Sequence, residues 1–237
     1  MKLIADLHTH TLASGHAYGT IRENAQAAAE RGLHILGVTE HAPGISGTCD
    51  PIYFLNLRSV PKMLYGVRVL HGSEINVLEG GKLSLSERHI AALDYAAAGI
   101  HIQCYKDQGA AANTKNVIGC MKQSKKLRFI THPDDSRTPL DYEELCRAAR
   151  DYHVALEVNN ASLIEPAFRV NSRANDERML ACCEKYRVPV VVNSDAHDPS
   201  AVGRVDLALG LLEAVGFDEQ LVLNADEERL MAFLMAE

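Results

Sequence analysis

The sequence predicts an α/β protein of about seven βα units closed into a distorted barrel. Short apolar segments, often β-branched, alternate along the chain with helical patterns, as expected for parallel strands that are buried on both faces. Histidines and acids follow several of these segments, at the strand ends where a βα barrel gathers its active-site residues. We favour the closed barrel over an open sheet, although alternation alone does not decide between them.

The predicted elements cover the chain from end to end. Strands are predicted near 3–7, 35–39, 67–74, 95–100, 128–131, 154–159 and 189–193. Helices are predicted at 21–31, 57–65, 86–93, 110–123, 142–152, 176–186, 202–214 and 227–235. Asp141, with Glu144 three residues later, resembles a capping box at the start of one helix. Because there is no linker or shift in composition, we expect a single domain over 1–237.

Composition and charge restrict the function. The chain has 31 acids, 24 bases and a net charge of -7, which disfavours a general nucleic-acid-binding surface. Its apolar runs are too short to span a bilayer. The N-terminus is strand-like and shows no export signal, so we expect a cytoplasmic protein. The six cysteines show no CxxC spacing and are expected to be reduced thiols.

Paired ligand-type residues follow the first and the last predicted strands. His8 and His10 end the apolar run that begins the chain, and Asp195 and His197 follow the last strand. Residues two apart in a strand point to the same face, so the members of each pair are expected to aim together. The two pairs suggest one metal site built from distant parts of the chain.

Further candidate ligands lie at or just after the other strand ends. The complete set of nine is His8, His10, His16, His41, Glu74, His101, His132, Asp195 and His197. Taken singly, each has an ordinary structural explanation, such as a helix cap, an ion pair or a buried histidine. Their common position on one rim makes a metal cluster the better interpretation.

Several segments resemble the motifs of the PHP (polymerase and histidinol phosphatase) superfamily. They are Asp6–Thr11, Thr39–His41, Gly72–Glu74, Thr131–Pro133 and Ser194–His197. The similarity extends over essentially the whole chain and is closest to the stand-alone bacterial phosphatases of the YcdX-like branch, which Glu157–Ser162 also resembles. The resemblance implies a distorted (β/α)7 barrel, a trinuclear metal centre that is usually zinc, and hydrolysis of phosphate esters.

The resemblance also implies how the ligands divide. One ion would take His8, His10, Glu74 and Asp195, a second Glu74, His101 and His132, and a third His16, His41 and His197. Manganese or iron are alternatives to zinc for such a donor set. A metal-bound hydroxide would be the nucleophile. We therefore predict Glu74, Asp195 and His16 as catalytic residues, with Glu74 bridging two ions.

Basic residues on loops after strands are candidates for binding the phosphate. Among them we rank Arg169, Arg173 and Arg204 first. The expected partner is a small phosphorylated substrate. We expect binding neither to membranes nor to nucleic acid, and the sequence does not decide whether the chain forms a homo-oligomer. The competing functions are a phosphodiesterase or exonuclease, a non-catalytic metal-stabilised module, and a metal-dependent amidohydrolase.

Overall fold

The strands of the protein form one nearly closed parallel barrel in a computed structural model that describes residues 1–236. The strands are β1 (Ala5–Thr9), β2 (Ile35–His41), β3 (Met63–Leu64), β4 (Val67–Leu78), β5 (Lys82–Leu83), β6 (Ala96–Gly99), β7 (Leu127–Ile130), β8 (Ala155–Asn159) and β9 (Val190–Asn193). The barrel order is β1-β2-β4-β6-β7-β8-β9, and a parallel bridge from Thr9 to Ala196 brings the last strand back to the first. The predicted barrel of seven βα units is confirmed.

Helices cover the outside of the barrel. They are α1 (Ile21–Glu30), α2 (Ile52–Asn56), α3 (Glu87–Ile90), α4 (Ala110–Met121), α5 (Tyr142–Tyr152), α6 (Ser172–Tyr186), α7 (Asp206–Val215) and α8 (Glu227–Leu234). Only half of the predicted capping box of α5 is present: the Asp141 carboxylate accepts a hydrogen bond from the Glu144 amide at 3.1 Å, whereas the Asp141 amide donates to the Thr114 hydroxyl at 2.8 Å. Across residues 1–236, none of these helices has the length and apolar character needed to cross a membrane.

The helix predicted over 57–65 is wrong. Helical structure lies earlier, in α2, and is followed by a single 3-10 turn over Leu57–Ser59. Pro61 cannot donate a backbone hydrogen bond, so the helix cannot continue through it. The chain instead forms β3, which turns back onto β4 through Tyr65 and Gly66, both with positive φ.

The two ends of the barrel interior differ in chemistry. At the N-terminal ends of the strands, Ile35, Leu70 and other apolar side chains form one buried cluster. Leu230 and Leu234 of α8 pack into this cluster, so the C-terminal helix covers that end of the barrel. The polar candidates lie at the opposite end, as active-site residues do in βα barrels.

A bulge in β1 turns both histidines of the His-X-His pair inward. Leu7 packs inside the barrel, so strict alternation would send His8 and His10 outward. The pairing of β1 with β2 shifts register between Asp6 and Thr9, where β1 carries one residue more than its partner. An extra residue of this kind re-aims the side chains that follow it. His8 and His10 therefore both reach the site.

Leu230→Ala should destabilise the protein because it opens a cavity beneath the barrel. Leu230 is 0% exposed, and removing a buried leucine side chain costs about 2–5 kcal/mol. Met235→Ala is a suitable control, because Met235 is 44% exposed just beyond the same helix. Urea denaturation should show a clear loss of stability in Leu230→Ala only. Equal midpoints for the two variants would mean that α8 does not support the barrel.

Candidate metal centre

All nine predicted ligands gather at the carboxyl end of the barrel. Seven of them are buried or nearly so, whereas His16 is exposed and His197 is partly exposed. A cavity of about 400 Å³ opens above them. Six of the nine line that cavity: His16, His41, His101, His132, Asp195 and His197.

Four donor atoms form a first group with the spacing of a tetrahedral site. His8 Nε2 lies 3.3 Å from Glu74 Oε2 and 3.4 Å from Asp195 Oδ1. The corresponding distances from His10 Nε2 are 3.5 and 3.3 Å. Ligands about 2.0–2.1 Å from a tetrahedral zinc are separated by about 3.3–3.4 Å, so these four donors fit one ion.

Glu74 faces a second group of donors with its other oxygen. Glu74 Oε1 lies 2.7 Å from His132 Nε2 and 3.2 Å from His101 Nε2. The Thr131 hydroxyl also donates to it at 2.7 Å. One buried carboxylate therefore stands between two sets of imidazoles, which is the arrangement of a bridging ligand.

The third group consists of stacked or tilted imidazoles at the mouth of the cavity. The ring centroid of His16 lies 4.9 Å from that of His41 and 5.0 Å from that of His197. His41 is not confined to this group, because its Nδ1 lies 2.9 Å from Glu74 Oε2. His10 also stacks on His41 at 4.3 Å. His41 therefore lies between the first and the third group, although the family resemblance assigns it to the third group alone.

Buried ligand-type atoms without a hydrogen-bond partner indicate that this site fits cations. Four buried atoms that point into it have no hydrogen-bond partner within residues 1–236: His8 Nε2, His10 Nε2, His41 Nδ1 and Glu74 Oε2. Buried polar atoms are almost always paired in proteins, and unpaired ones call for an explanation. A set of imidazole and carboxylate lone pairs aimed at common points is explained by divalent metal ions.

The electrostatics of the site keep His10 and Glu74 in their metal-binding forms. Burial lowers the pKa of His10, and the neighbouring His41 and His197 lower it further, so His10 stays neutral. Burial raises the pKa of Glu74, but the surrounding imidazoles outweigh it and hold that pKa well below its usual value. A neutral imidazole and an ionised carboxylate are the forms that bind metal.

Glu157 is a buried acid beside the predicted ligands that the ligand pattern of the sequence does not include. Its Oε1 lies 2.8 Å from His8 Nδ1, and its Oε2 accepts a hydrogen bond from the His132 amide at 2.8 Å. Asn159 and Asn193 also donate to this carboxylate. A proton on His8 Nδ1 leaves Nε2 free for a metal, as carboxylate partners of metal-binding histidines do. The signal in the sequence was an acid in the middle of an otherwise apolar strand.

Ser14 and Glu40 orient the other histidine of the pair. The Ser14 hydroxyl donates to Glu40 Oε2 at 2.6 Å, so its oxygen is free to accept from His10 Nδ1, 3.0 Å away. The same oxygen accepts a hydrogen bond from the His41 amide at 3.1 Å. The contact fixes the His10 tautomer with Nε2 directed at the site.

Two of the predicted ligands have left-handed backbone conformations. His132 has φ 31° and Asp195 has φ 55°, values that are uncommon outside glycine and concentrate at functional sites. At His132 this conformation lets both Thr131 and His132 reach Glu74 Oε1. Gly99 makes room beside them, because a Cβ there would lie 2.1 Å from Thr131 Oγ1.

The three predicted phosphate-binding arginines are placed differently. Arg169 reaches the cavity, where it donates to Ser162 Oγ at 2.9 Å and to Asp195 Oδ2 at 3.2 Å. Arg173 belongs to α6 rather than to a loop, is exposed, and pairs with Glu177 on the same helix. Arg204 is exposed and does not line the cavity. The structure therefore brings only Arg169 of the three to the site.

Arg137 is a second arginine on the cavity wall. It forms a bidentate ion pair with Asp135, in which Nε donates to Oδ1 at 3.1 Å and Nη2 donates to Oδ2 at 2.6 Å. Its charge is therefore largely balanced by its partner. Arg169 differs because its partner Asp195 is also a predicted metal ligand.

Two further acids are buried close to Arg169 without pairing. Both carboxylate oxygens of Asp134 and of Asp176 have no hydrogen-bond partner within residues 1–236. Burial raises the pKa of Asp176 well above its usual value, and the neighbouring Asp134 raises it further. Burial also raises the pKa of Asp134, against the opposing effect of Arg169. A carboxyl group whose pKa is raised by folding opposes folding when it ionises, so we expect these acids to reduce the stability of the fold at neutral pH.

Comparisons with known proteins establish the family. The PHP domain model matches residues 6–219, so the chain belongs to the PHP domain family. A probable phosphatase of Syntrophotalea carbinolica is 37% identical over 235 residues, which span 99% of this chain and 97% of that protein. A probable phosphatase of Acetivibrio thermocellus is 36% identical over 235 residues, with 99% and 96% coverage. The expected family resemblance is confirmed.

A solved structure supports the fold. Histidinol phosphate phosphatase from Lactococcus lactis, determined with zinc, L-histidinol and phosphate, superimposes with a TM-score of 0.64. The match covers 90% of this chain and 94% of that one at 16% sequence identity. At that identity the similarity concerns the barrel alone.

Asp176→Asn should stabilise the protein at neutral pH. The folded-state pKa of Asp176 is raised, so its destabilising effect is absent below the unfolded pKa near ~3.9 and grows as pH rises above it. An amide of the same shape avoids this effect, and we expect a gain of about 1–3 kcal/mol at pH 7. Thermal unfolding of both proteins at pH 7 and pH 4 tests this, with exposed Asp151→Asn as control. A variant that is less stable at pH 7 contradicts the assignment.

Proposed function

We propose that the protein is a metal-dependent phosphatase that hydrolyses small phosphate monoesters, with three divalent ions, in the first place zinc, at the barrel rim. The observation that carries the proposal is Glu74, whose two oxygens face two different sets of imidazoles. Relatives of nearly the same length are named probable phosphatases, which supports hydrolysis of phosphoric esters.

The donor groups indicate which residues would hold the ions. The first ion would be held by His8, His10, Glu74 and Asp195, the second by Glu74, His101 and His132, and the third by His16, His41 and His197. Divalent ions in such a site activate water and polarise the phosphoryl oxygens. Zinc suits this imidazole and carboxylate set, with manganese or iron as alternatives.

Residues of the chain bind and orient the phosphate. Arg169 keeps its charge because Asp195 and Asp134 outweigh the effect of burial and raise its pKa. A fixed guanidinium beside the ligands is suited to bind phosphoryl oxygens and to stabilise charge that develops on them. We assign His16 a catalytic role together with Glu74 and Asp195. Its imidazole belongs to the third group and lies at the mouth of the cavity, where it can meet the substrate.

A substrate panel tests the proposal against its competitors. The protein is stripped with a chelator, reconstituted with zinc, manganese or iron, and assayed with 4-nitrophenyl phosphate, bis(4-nitrophenyl) phosphate and 4-nitroacetanilide. We expect metal-dependent turnover of the monoester and much slower turnover of the diester and the amide. A preference for the diester or the amide identifies the phosphodiesterase or amidohydrolase instead. Absence of turnover with every metal and substrate supports the non-catalytic module.

Glu74→Gln should abolish most of the activity while leaving the fold intact. An amide keeps the shape but loses the charge shared between two donor groups, so we expect kcat/KM to fall by more than about 100-fold. Glu79→Gln, an exposed position on the same segment beyond β4, should retain activity. Circular dichroism and thermal unfolding report on the fold. Near-normal turnover in Glu74→Gln contradicts the bridging role.

Metal affinity should fall as the pH is lowered. Burial lowers the pKa of His8, but Glu157, Asp195 and Glu74 outweigh it and raise that pKa well above its usual value. In the metal-free protein His8 therefore takes up a proton that competes with the metal, and lowering the pH strengthens the competition. Zinc affinity measured against a chromophoric chelator between pH 6 and pH 8 should increase with pH.

The variant Glu157→Gln sharpens this prediction. Without the carboxylate the pKa of His8 falls, so the pH dependence should move to lower pH, while affinity at pH 8 drops about 10–100-fold. Exposed Glu165→Gln is the matched control. A zinc affinity that is independent of pH, or unchanged in Glu157→Gln, contradicts the role of these residues.

A further inference from the structure

Part of the cavity lining, called here the apolar wall, consists of large apolar side chains, although the floor of the cavity is ionic. Ile45, Ile100, Ile102 and Phe168 line the same cavity as the predicted ligands. Phe168 is 66% exposed and Ile102 is 45% exposed, which is unusual for large apolar side chains that meet in one concave surface. A charged phosphate group gains no stabilisation from contact with apolar side chains. The apolar wall is therefore suited to contact the remainder of the substrate.

Phe168 is held in position by the loop that follows β7. The guanidinium of Arg137 lies 5.0 Å from the centre of the Phe168 ring. Asp135 fixes Arg137 through its bidentate ion pair and also accepts a hydrogen bond from the Val170 amide at 3.3 Å. The Ser136 amide donates to the Val170 carbonyl at 2.9 Å. The loop that carries Phe168 is thus attached to the loop after β7 through both the amide and the carbonyl of Val170.

The charges on this wall favour a neutral group over a second anion. Arg137 is balanced by Asp135, so the pair offers little net attraction to another phosphate or carboxylate. Arg169, whose ion pair lies beside the ligands, serves the phosphate at the floor. The size of the cavity agrees with a ring-bearing substrate. A cavity of about 150 Å³ holds benzene, so about 400 Å³ holds a phosphate and one or two rings.

We propose that the organic part of the substrate carries a neutral aromatic ring that stacks on Phe168, which makes Phe168 a specificity-determining residue. The inference rests on the proposed phosphatase function, because it takes the floor of the cavity as the phosphate site. Aromatic pairs are stabilised beyond the burial of their area, so a flat ring binds better here than a saturated ring of the same size.

Binding of two matched phosphonates tests the inference without relying on turnover. Benzylphosphonate and cyclohexylmethylphosphonate share one carbon skeleton, and the saturated compound is the more hydrophobic. Calorimetry on the zinc-reconstituted protein should show benzylphosphonate binding about 3- to 10-fold more tightly. Phe168→Leu should remove this preference, and Phe168→Tyr should keep it. Tyr152→Leu, which alters a surface aromatic residue outside the cavity lining, should leave it unchanged.

Several results would overturn the inference. These are equal affinities in the unaltered protein, no binding of either phosphonate, or a preference that persists in Phe168→Leu. Tighter binding of 4-carboxybenzylphosphonate than of benzylphosphonate would show that the wall recruits a second anion instead. Turnover of 4-nitrophenyl phosphate is measured in parallel. Turnover with equal phosphonate affinities rejects only the role of Phe168, whereas a normal preference without turnover rejects only the phosphatase.

Discussion

The buried carboxylate of Glu74 is the centre on which the rest of the site depends. It lies within β4, opposite the end of β2, with no exposure to solvent, and imidazoles approach both of its oxygens. An isolated carboxylate in such a position would be strongly unfavourable. The proposed divalent cations would explain why the charge is tolerated and why several histidine nitrogens nearby have no protein partner.

The supporting residues act by orienting the ligands. Glu157 contacts the His8 ring in β1 and the His132 amide just after β7, and Ser14 contacts both His10 and the backbone of β2. Fixing the tautomer and direction of a ligand increases its affinity for metal without adding a ligand. The same region contains Asp176, which is buried and unpaired, so the fold gives up stability near the site.

Much of the fold and the whole candidate ligand set could be predicted from the sequence. Short, continuous apolar segments between helical patterns located the barrel strands, because buried parallel strands differ sharply in composition from the helices around them. Local rules could not predict the bulge in β1 or the left-handed conformations of His132 and Asp195, which depend on contacts with neighbouring strands. Nor could they predict that Arg169 lines the cavity whereas Arg173 lies on the exposed face of α6. The two residues are only four positions apart, and the start of the helix lies between them.

The central claim is that Glu74 lies between two of three divalent ions. Anomalous diffraction from crystals of the zinc-reconstituted protein, collected on both sides of the zinc absorption edge, tests it most directly. The account predicts three anomalous peaks at the rim of the barrel, with a different one beside each Glu74 oxygen. A single peak, or peaks that leave one oxygen of Glu74 without a metal, would contradict it.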